Sequence, residues 1–368
     1  MDLPQIDDYR ALFLNKTALL DVRAPVEFNQ GAFPFTENCP LINDNERDII
    51  GKKYKNMGQD EAIELGHELV QGDIKSERVN KWQSFITKHP EGVLYCFRGG
   101  MRSKISQQWI YEKTGIVYPR VKGGYKAMRR FLLDELETSV NEIQPVILGG
   151  RTGIGKTILL DKLNQKTDLE GLFHHRGSVF GKHVTPQPTQ ITIENNLSIN
   201  LLNHRNDNTS LLVFEDEAPN IGSRRIPEVL FNKMQKSPII QLETSVESRI
   251  DITFQEYIIE ALAEHQNFYD KDTGFDSWSN QLNEAIDKIQ RRLGGVRYKE
   301  LKSILNQAIS EHSSTGNMEL HRVWIKSLLM DYYDPMYDYQ FSKKAERVIF
   351  KGSDNEVLEF LMSKYQLS

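Results

Sequence analysis

At 368 residues the chain is too long for one ordinary domain, and 39% hydrophobic with 26% charged residues is the balance of a globular protein. No apolar run approaches the roughly 18 residues of a membrane-spanning helix, and MDLPQIDDYRALF at the N-terminus lacks the basic start of a signal peptide, so the cytoplasm is the expected location. The net charge of −5 argues against a nonspecific polyanion binder, and two cysteines are too few for a disulfide framework or a four-cysteine zinc site.

In chain order, ALLDV (18–22) and GVLYCF (92–97) read as buried strands ending in polar punctuation. The charged, periodic stretch 45–89 reads as helical. VKGGYKAMRRFLLDELE (121–137) reads as a loop and an amphipathic helix that closes a first domain, 1–138. VILGG (146–150) opens a second α/β domain, 144–250, continued by helical ILLDKLNQ (158–165) and the strands SLLVFEDE (210–217) and SPIIQLETS (237–245). Strands alternating with helices imply a parallel sheet covered by helices. Beyond Val246 the pattern is almost wholly helical, broken at Gly294-Gly295 and at Gly316. Residues 251–368 form the expected helical region.

CFRGGMRS (96–103) lies between a strand and a helix. A thiolate at neutral pH needs positive electrostatics. A strand-to-helix turn supplies backbone N–H groups and the helix dipole. Gly99 and Gly100 let the backbone curl around the sulfur, and Arg98 and Arg102 add charge. The loop suits Cys96 as a chalcogen carrier beside an incoming oxyanion. Cys39, in ENCPLIND, has no such surroundings and reads as structural.

GRTGIGKT (150–157) fits G-x-x-x-x-G-K-[ST] in full, after a strand and before a helix. Gly150, Thr152, Gly153 and Gly155 shape a loop whose amides surround phosphate. Lys156 places a charge on the terminal phosphates, and the Thr157 hydroxyl can bind Mg2+. In FEDE (214–217), Asp216 is the candidate second Mg2+ ligand, with Glu215 the alternative; an acidic strand end facing solvent gives the same pattern. The loop reads phosphates and not the group attached to them, so ATP and a prenyl diphosphate both fit.

DVRAPVEFNQGAFP (21–34) together with CFRGGMRS resembles the rhodanese domain, over 12–34 and 92–125, whereas 44–89 is unlike it. In that likeness Asp21 and Arg23 brace the cysteine loop. A rhodanese cysteine and a P-loop on one chain, with HHRGSVFG (174–181), PQPTQ (186–190), FEDEAPNIG (214–222) and YYDPMY (332–337), resemble the tRNA 2-selenouridine synthase family over nearly the whole chain. The resemblance implies replacement of sulfur by selenium in a wobble 2-thiouridine of tRNA. Selenophosphate is the implied selenium donor, and geranyl diphosphate forms an S-geranyl intermediate. No tightly bound cofactor is implied. An ATP-coupled sulfurtransferase acting on tRNA or a small molecule explains Cys96 and the P-loop equally well, and a nucleotide-sensing module with an inert cysteine domain is a third reading. For tRNA contact the richest run is KIQRRLGGVRYKELK (288–302), where Arg291, Arg292, Arg297 and Lys299 stand out; six basic residues face one acid, Glu300. A solvated helix face fits that run as well.

Overall fold

Short apolar runs pair into two parallel sheets in the computed structural model, which describes residues 3–365. The chain divides into two compact units, Met1–Asn141 with Thr189–Asn206, and Glu142–Pro188 with Asp207–Ser368.

The first unit carries β1 (Gln5–Ile6), β2 (Leu19–Asp21), β3 (Thr36–Asn38), β4 (Val93–Tyr95) and β5 (Arg120–Val121), in the order β1-β5-β4-β2-β3, all parallel. β2 and β4 are buried throughout, as continuous apolar runs in a covered parallel sheet should be. The stretch 45–89 is helical as expected, over Asp44–Met57, Gln59–Leu69 and Gly72–Lys88. The first of these starts on a reciprocal cap between Asn43 and Glu46, at 2.8 and 2.9 Å. Trp82, Phe85 and Ile86 of the third pack on Leu20 and Leu94 of the sheet.

The helix Gln190–Asn206, which the sequence reading placed within a 144–250 domain, belongs to this first unit. Its Ile199 and Leu202 are buried with Leu12, Phe13 and Leu132, and Ser198 donates to the Leu132 carbonyl at 2.6 Å. Its apolar face found a partner far away in sequence, which periodicity cannot reveal.

In the second unit β6 (Gln144–Gly149), β7 (Leu211–Glu215), β10 (Ile239–Leu242) and β11 (Val348–Gly352) form a parallel sheet in the order β11-β10-β6-β7. β8 (Asn220–Ile221) and β9 (Arg224–Arg225) make a small hairpin. Thus 251–368 is not a separate helical body: β11 lies inside it and completes the sheet, with Val348 paired to Ile239. The helix after the P-loop is shorter than expected, Lys156–Leu160, and residues 165–167 run beside β7 instead: the Val213 amide donates to the Gln165 carbonyl and the Thr167 amide donates to the Val213 carbonyl, both at 3.0 Å. The helical remainder packs around Trp278, Leu282, Ile286, Leu305 and Trp324. Gly294 and Gly316 end helices as anticipated, with φ of 79° and 77°. Among the described residues no helix is long and apolar enough to cross a membrane.

Candidate active site

Cys96 follows β4 at the carboxyl end of the first sheet, where parallel sheets place their functional loops. It is 3% exposed, and its sulfur lies 3.2 Å from the Ser103 hydroxyl, which donates to the Gly100 carbonyl at 3.0 Å. The segment 121–126 closes over the loop: the amides of Tyr125 and Lys126 donate to the carbonyls of Cys96 and Phe97, both at 2.9 Å. Gly124 makes this approach possible, because at its φ of 59° a Cβ would stand 2.2 Å from the Cys96 carbonyl oxygen. Arg120 donates to the Gly99 carbonyl at 2.8 Å. The helix Met101–Thr114 then begins with no side-chain cap, so its first-turn amides and dipole favour an anion near the loop.

The two loop arginines differ. Arg102 donates to Glu27 at 2.5 and 3.0 Å, and Glu27 is buried. Burial works to raise the Glu27 carboxyl, but Arg102, the Ala24 amide and Arg47 outweigh it and hold it below the ordinary value. Arg98 is exposed, has no carboxylate partner among the described residues, and lies 5.9 Å from the centre of the Phe97 ring. Asp21 and Arg23 form a buried ion pair at 2.6 Å. Arg23 also donates to the Gly31 carbonyl at 2.9 Å and lies 3.8 Å from the ring of Tyr125, whose amide holds Cys96. The pair therefore reaches the loop through Tyr125. Cys39 is also buried, and burial, then the Glu37 carboxylate, push its thiol up to about 12.

In the second unit β6 runs directly into the P-loop. At Gly153, with φ 72°, a Cβ would stand 2.2 Å from the Thr253 hydroxyl, so the loop needs glycine there. The buried guanidinium of Arg249 donates to the Thr152 carbonyl at 3.1 Å and to Asp334 at 2.9 and 2.7 Å. Asp334 and Asp338 also hold Arg151. YYDPMY (332–337) thus locks the loop backbone through Asp334. Lys156 opens the following helix. Burial works against its charge, but Tyr337, Glu215, Glu170 and Glu217 keep its ammonium firmly protonated.

The carboxylate beside the P-loop is that of Glu215, which accepts from the Thr157 hydroxyl at 2.7 Å. Asp216, the candidate ligand from the sequence, faces elsewhere and pairs with Lys344 at 2.7 and 2.9 Å. Neighbours on a strand point to opposite faces, so only one of the two could meet Thr157. Oxygens of Glu170, Glu215 and Glu217 lie within 4.8 Å of one another. Burial first, then the repulsion of Glu215, lifts the Glu217 carboxyl to about 8; burial lifts Glu256, in the π-helical turn Gln255–Glu260, to about 7.

Arg291, Arg292, Arg297 and Lys299 are exposed where the helices Lys271–Leu293 and Gly295–Thr315 meet, next to Val296 at 72% exposure. Lys302, from the same run, instead pairs with Asp287 at 2.6 Å. The turn therefore presents four exposed cations beside one exposed acid, Glu300, a local positive excess.

Several residues of these sites escaped the sequence reading: Glu27, Ser103, Arg120 and Gly124 at the thiol, and Glu170, Glu217, Arg249 and Asp334 at the P-loop. Glu217 closes FEDE and Asp334 lies in YYDPMY, so both stood inside quoted motifs; Glu170 and Arg249 carried no local signal.

Residues 143–367 match the family model described as the tRNA 2-selenouridine synthase AAA domain. Proteins named tRNA 2-selenouridine synthase from Sulfurovum sp. (strain NBC37-1) and Marinobacter nauticus are each 48% identical, covering 98% of this chain and 98% of their own. One from Bordetella bronchiseptica is 48% identical over 96% of both chains. The solved N-terminal domain of an ATP/GTP-binding protein from Clostridium difficile 630 is 32% identical over 35% of this chain and 98% of its own, with a TM-score of 0.30, too loose a superposition to bear on the fold. With the family model spanning the P-loop unit and relatives aligned from end to end, cysteine loop included, this chain belongs to the tRNA 2-selenouridine synthase family.

Proposed function

We propose that the protein replaces the sulfur of a wobble 2-thiouridine in tRNA by selenium. The observation that carries this is one chain holding a thiol loop open to an anion at Arg98 and a complete P-loop, matched end to end by relatives of that name. A thiocarbonyl sulfur is a poor leaving group. In this reading the P-loop holds geranyl diphosphate, and the thiouridine sulfur attacks the allylic carbon as the C–O bond breaks and pyrophosphate departs. Lys156 and the loop amides stabilise the charge gathering on that pyrophosphate. Selenophosphate, held at the rhodanese-like Cys96 loop, then attacks the base carbon through its selenium, geranylthiolate leaves, and water cleaves the remaining Se–P bond to release phosphate and the 2-selenouridine. Splitting the exchange this way gives two accessible displacements. The basic turn at Arg291, Arg292, Arg297 and Lys299 contacts the tRNA backbone.

Mass spectrometry of tRNA nucleosides tests the reading. Purified protein given thiolated tRNA, selenophosphate and geranyl diphosphate, with no nucleotide, should yield 2-selenouridine and a transient S-geranyl species. Strict dependence on ATP, with no geranylated intermediate, would replace this reading by an ATP-coupled sulfurtransferase.

A further inference from the structure

We propose that Glu256 is the general base of geranyl transfer, taking the N3 proton of the thiouridine as its sulfur is alkylated. This step rests on the proposed function, and its chemistry calls for such a group. The sulfur bonds to the allylic carbon, and the C–O pair leaves with pyrophosphate. As C2=S becomes a single bond, the N3–H pair becomes the second bond of N3=C2, and the alkylated base is neutral. One proton is released for each geranyl group transferred. A base that receives it also strengthens the nucleophile, because the charge left on N3 is shared with the sulfur.

The fold carries Glu256 to the P-loop. One face of the helix Val246–Phe254 touches that loop at three points. Arg249 donates to the Thr152 carbonyl at 3.1 Å. A Cβ at Gly155 would stand 3.3 Å from Ile252 Cδ1, and one at Gly153 2.2 Å from the Thr253 hydroxyl. Residues 249, 252, 253 and 256 share a face by their spacing, so Glu256 is next in line beyond Gly155, where Lys156 begins its helix. Here the helix widens into the π-helical turn Gln255–Glu260, a form that recurs at functional sites. The turn is anchored at Tyr257: its carbonyl accepts from the Trp278 indole at 2.8 Å, and its hydroxyl lies 2.5 Å from that of Ser178.

Neighbouring acids are engaged elsewhere: Asp216 with Lys344, Asp334 with Arg249, and Glu264 with Arg176. The half-buried carboxyl of Glu256 makes no hydrogen bond or ion pair among the described residues. Burial lifts it to about 7, with Glu260 and Glu215 adding to the lift and the charges of Lys156 and Arg176 opposing it. A base is most effective when its pKa lies near the working pH, and an ordinary glutamate near 4.3 is too weak for this proton.

The test uses the full-length protein with thiolated tRNA and geranyl diphosphate, without selenophosphate. Mass spectrometry follows S-geranyl formation from about pH 5.5 to 9. The base acts when ionised, so log kcat/KM for tRNA should climb by about one per pH unit and level off near pH 7, displaced upward by the charge of the bound diphosphate. Glu256→Gln should lower kcat about a hundredfold and lose the plateau, because N3 then gives its proton to hydroxide. Its KM for geranyl diphosphate should stay within about threefold of the wild type. Glu256→Asp should recover part of the rate and the plateau. Glu260→Gln, whose carboxylate bonds to Gln255 at 3.2 Å, should match the wild type. Glu256→Gln should also melt no lower than the wild type, since burial disfavours the charge it removes. A lower melting temperature with a raised KM would make Glu256 a structural residue and overturn the assignment. Rate and plateau kept in Glu256→Gln overturn the base alone and move that role to another acid. A wild type that transfers no geranyl group overturns the proposed function and this step with it.

Discussion

Arg102 donates two hydrogen bonds to the buried carboxylate of Glu27, while Arg98, earlier in the same loop, reaches no carboxylate among the described residues. One loop thus contains a structural cation and a free one. Arg102→Ala would leave the buried Glu27 with the Ala24 amide at 3.1 Å and Arg47 at 3.4 Å. It should cost about 2 to 3 kcal/mol in urea unfolding. Arg98→Ala should stay within about 0.5 kcal/mol of the wild type and instead slow selenium transfer. Equal stability losses in the two variants would contradict this division.

The two thiols should separate just as cleanly. With its thiol pushed up to about 12, Cys39 is protonated throughout the ordinary range. At pH 8 only roughly one part in ten thousand is thiolate, so iodoacetamide should leave Cys39 unmodified in the native protein. Cys39→Ser should keep selenium transfer. Cys96→Ser should abolish it while S-geranyl-tRNA still forms, and normal selenouridine with that variant would remove Cys96 from the mechanism.

Lys156→Ala should lower geranylation of thiolated tRNA by about a hundredfold or more, since it removes the charge facing the departing pyrophosphate. A tRNA geranylated beforehand should still be converted to selenouridine. Loss of both steps, with the fold shown intact by circular dichroism, would mean that the P-loop serves something other than the prenyl donor.

At the basic turn, alanine at Arg291, Arg297 or Lys299 should weaken tRNA binding whatever the anticodon sequence. Each change should reduce the slope of log affinity against log salt by about 0.7 to 0.9. Lys302→Ala is the control, because Lys302 is already engaged with Asp287; a slope change there as large as at Arg297 would move the interface elsewhere.

The second unit should lose stability as the solution is acidified. His321 is fully buried and accepts from the Trp324 indole through Nδ1 at 2.9 Å. Burial, then the neighbouring His312, pulls its pKa down to about 3. Between that value and the unfolded one near 6.5, the unfolded chain takes up a proton that the folded chain refuses. The contribution is therefore complete above about pH 6.5 and falls by up to about 1.4 kcal/mol per pH unit below it. Urea titrations at pH 7.5 and 5.5, followed by tryptophan fluorescence, should show the fall. His321→Asn should be less stable at pH 7.5 and flatter with pH; an unchanged slope would assign the loss to other groups.

The sequence alone determined both loops, because each is a contiguous cradle. Consecutive glycines and amides around Cys96 and from Gly150 to Thr157 make the geometry, so their spacing is already the structure. It also determined the buried parallel strands and the glycine-ended helices, whose signals lie within a few neighbouring residues. What the tertiary structure decided are the choices made by packing between distant segments. The helix Gln190–Asn206 joined the first unit, and β11 emerged from an otherwise helical stretch to complete the second sheet. Arg102 met Glu27, and Glu215 rather than Asp216 met Thr157. Side chains alternate along a strand, but which face turns toward the P-loop is set only when the sheet is packed. Glu170 came to that face with no motif to announce it, because a cluster of carboxylates is assembled in space from pieces that are each unremarked in the chain.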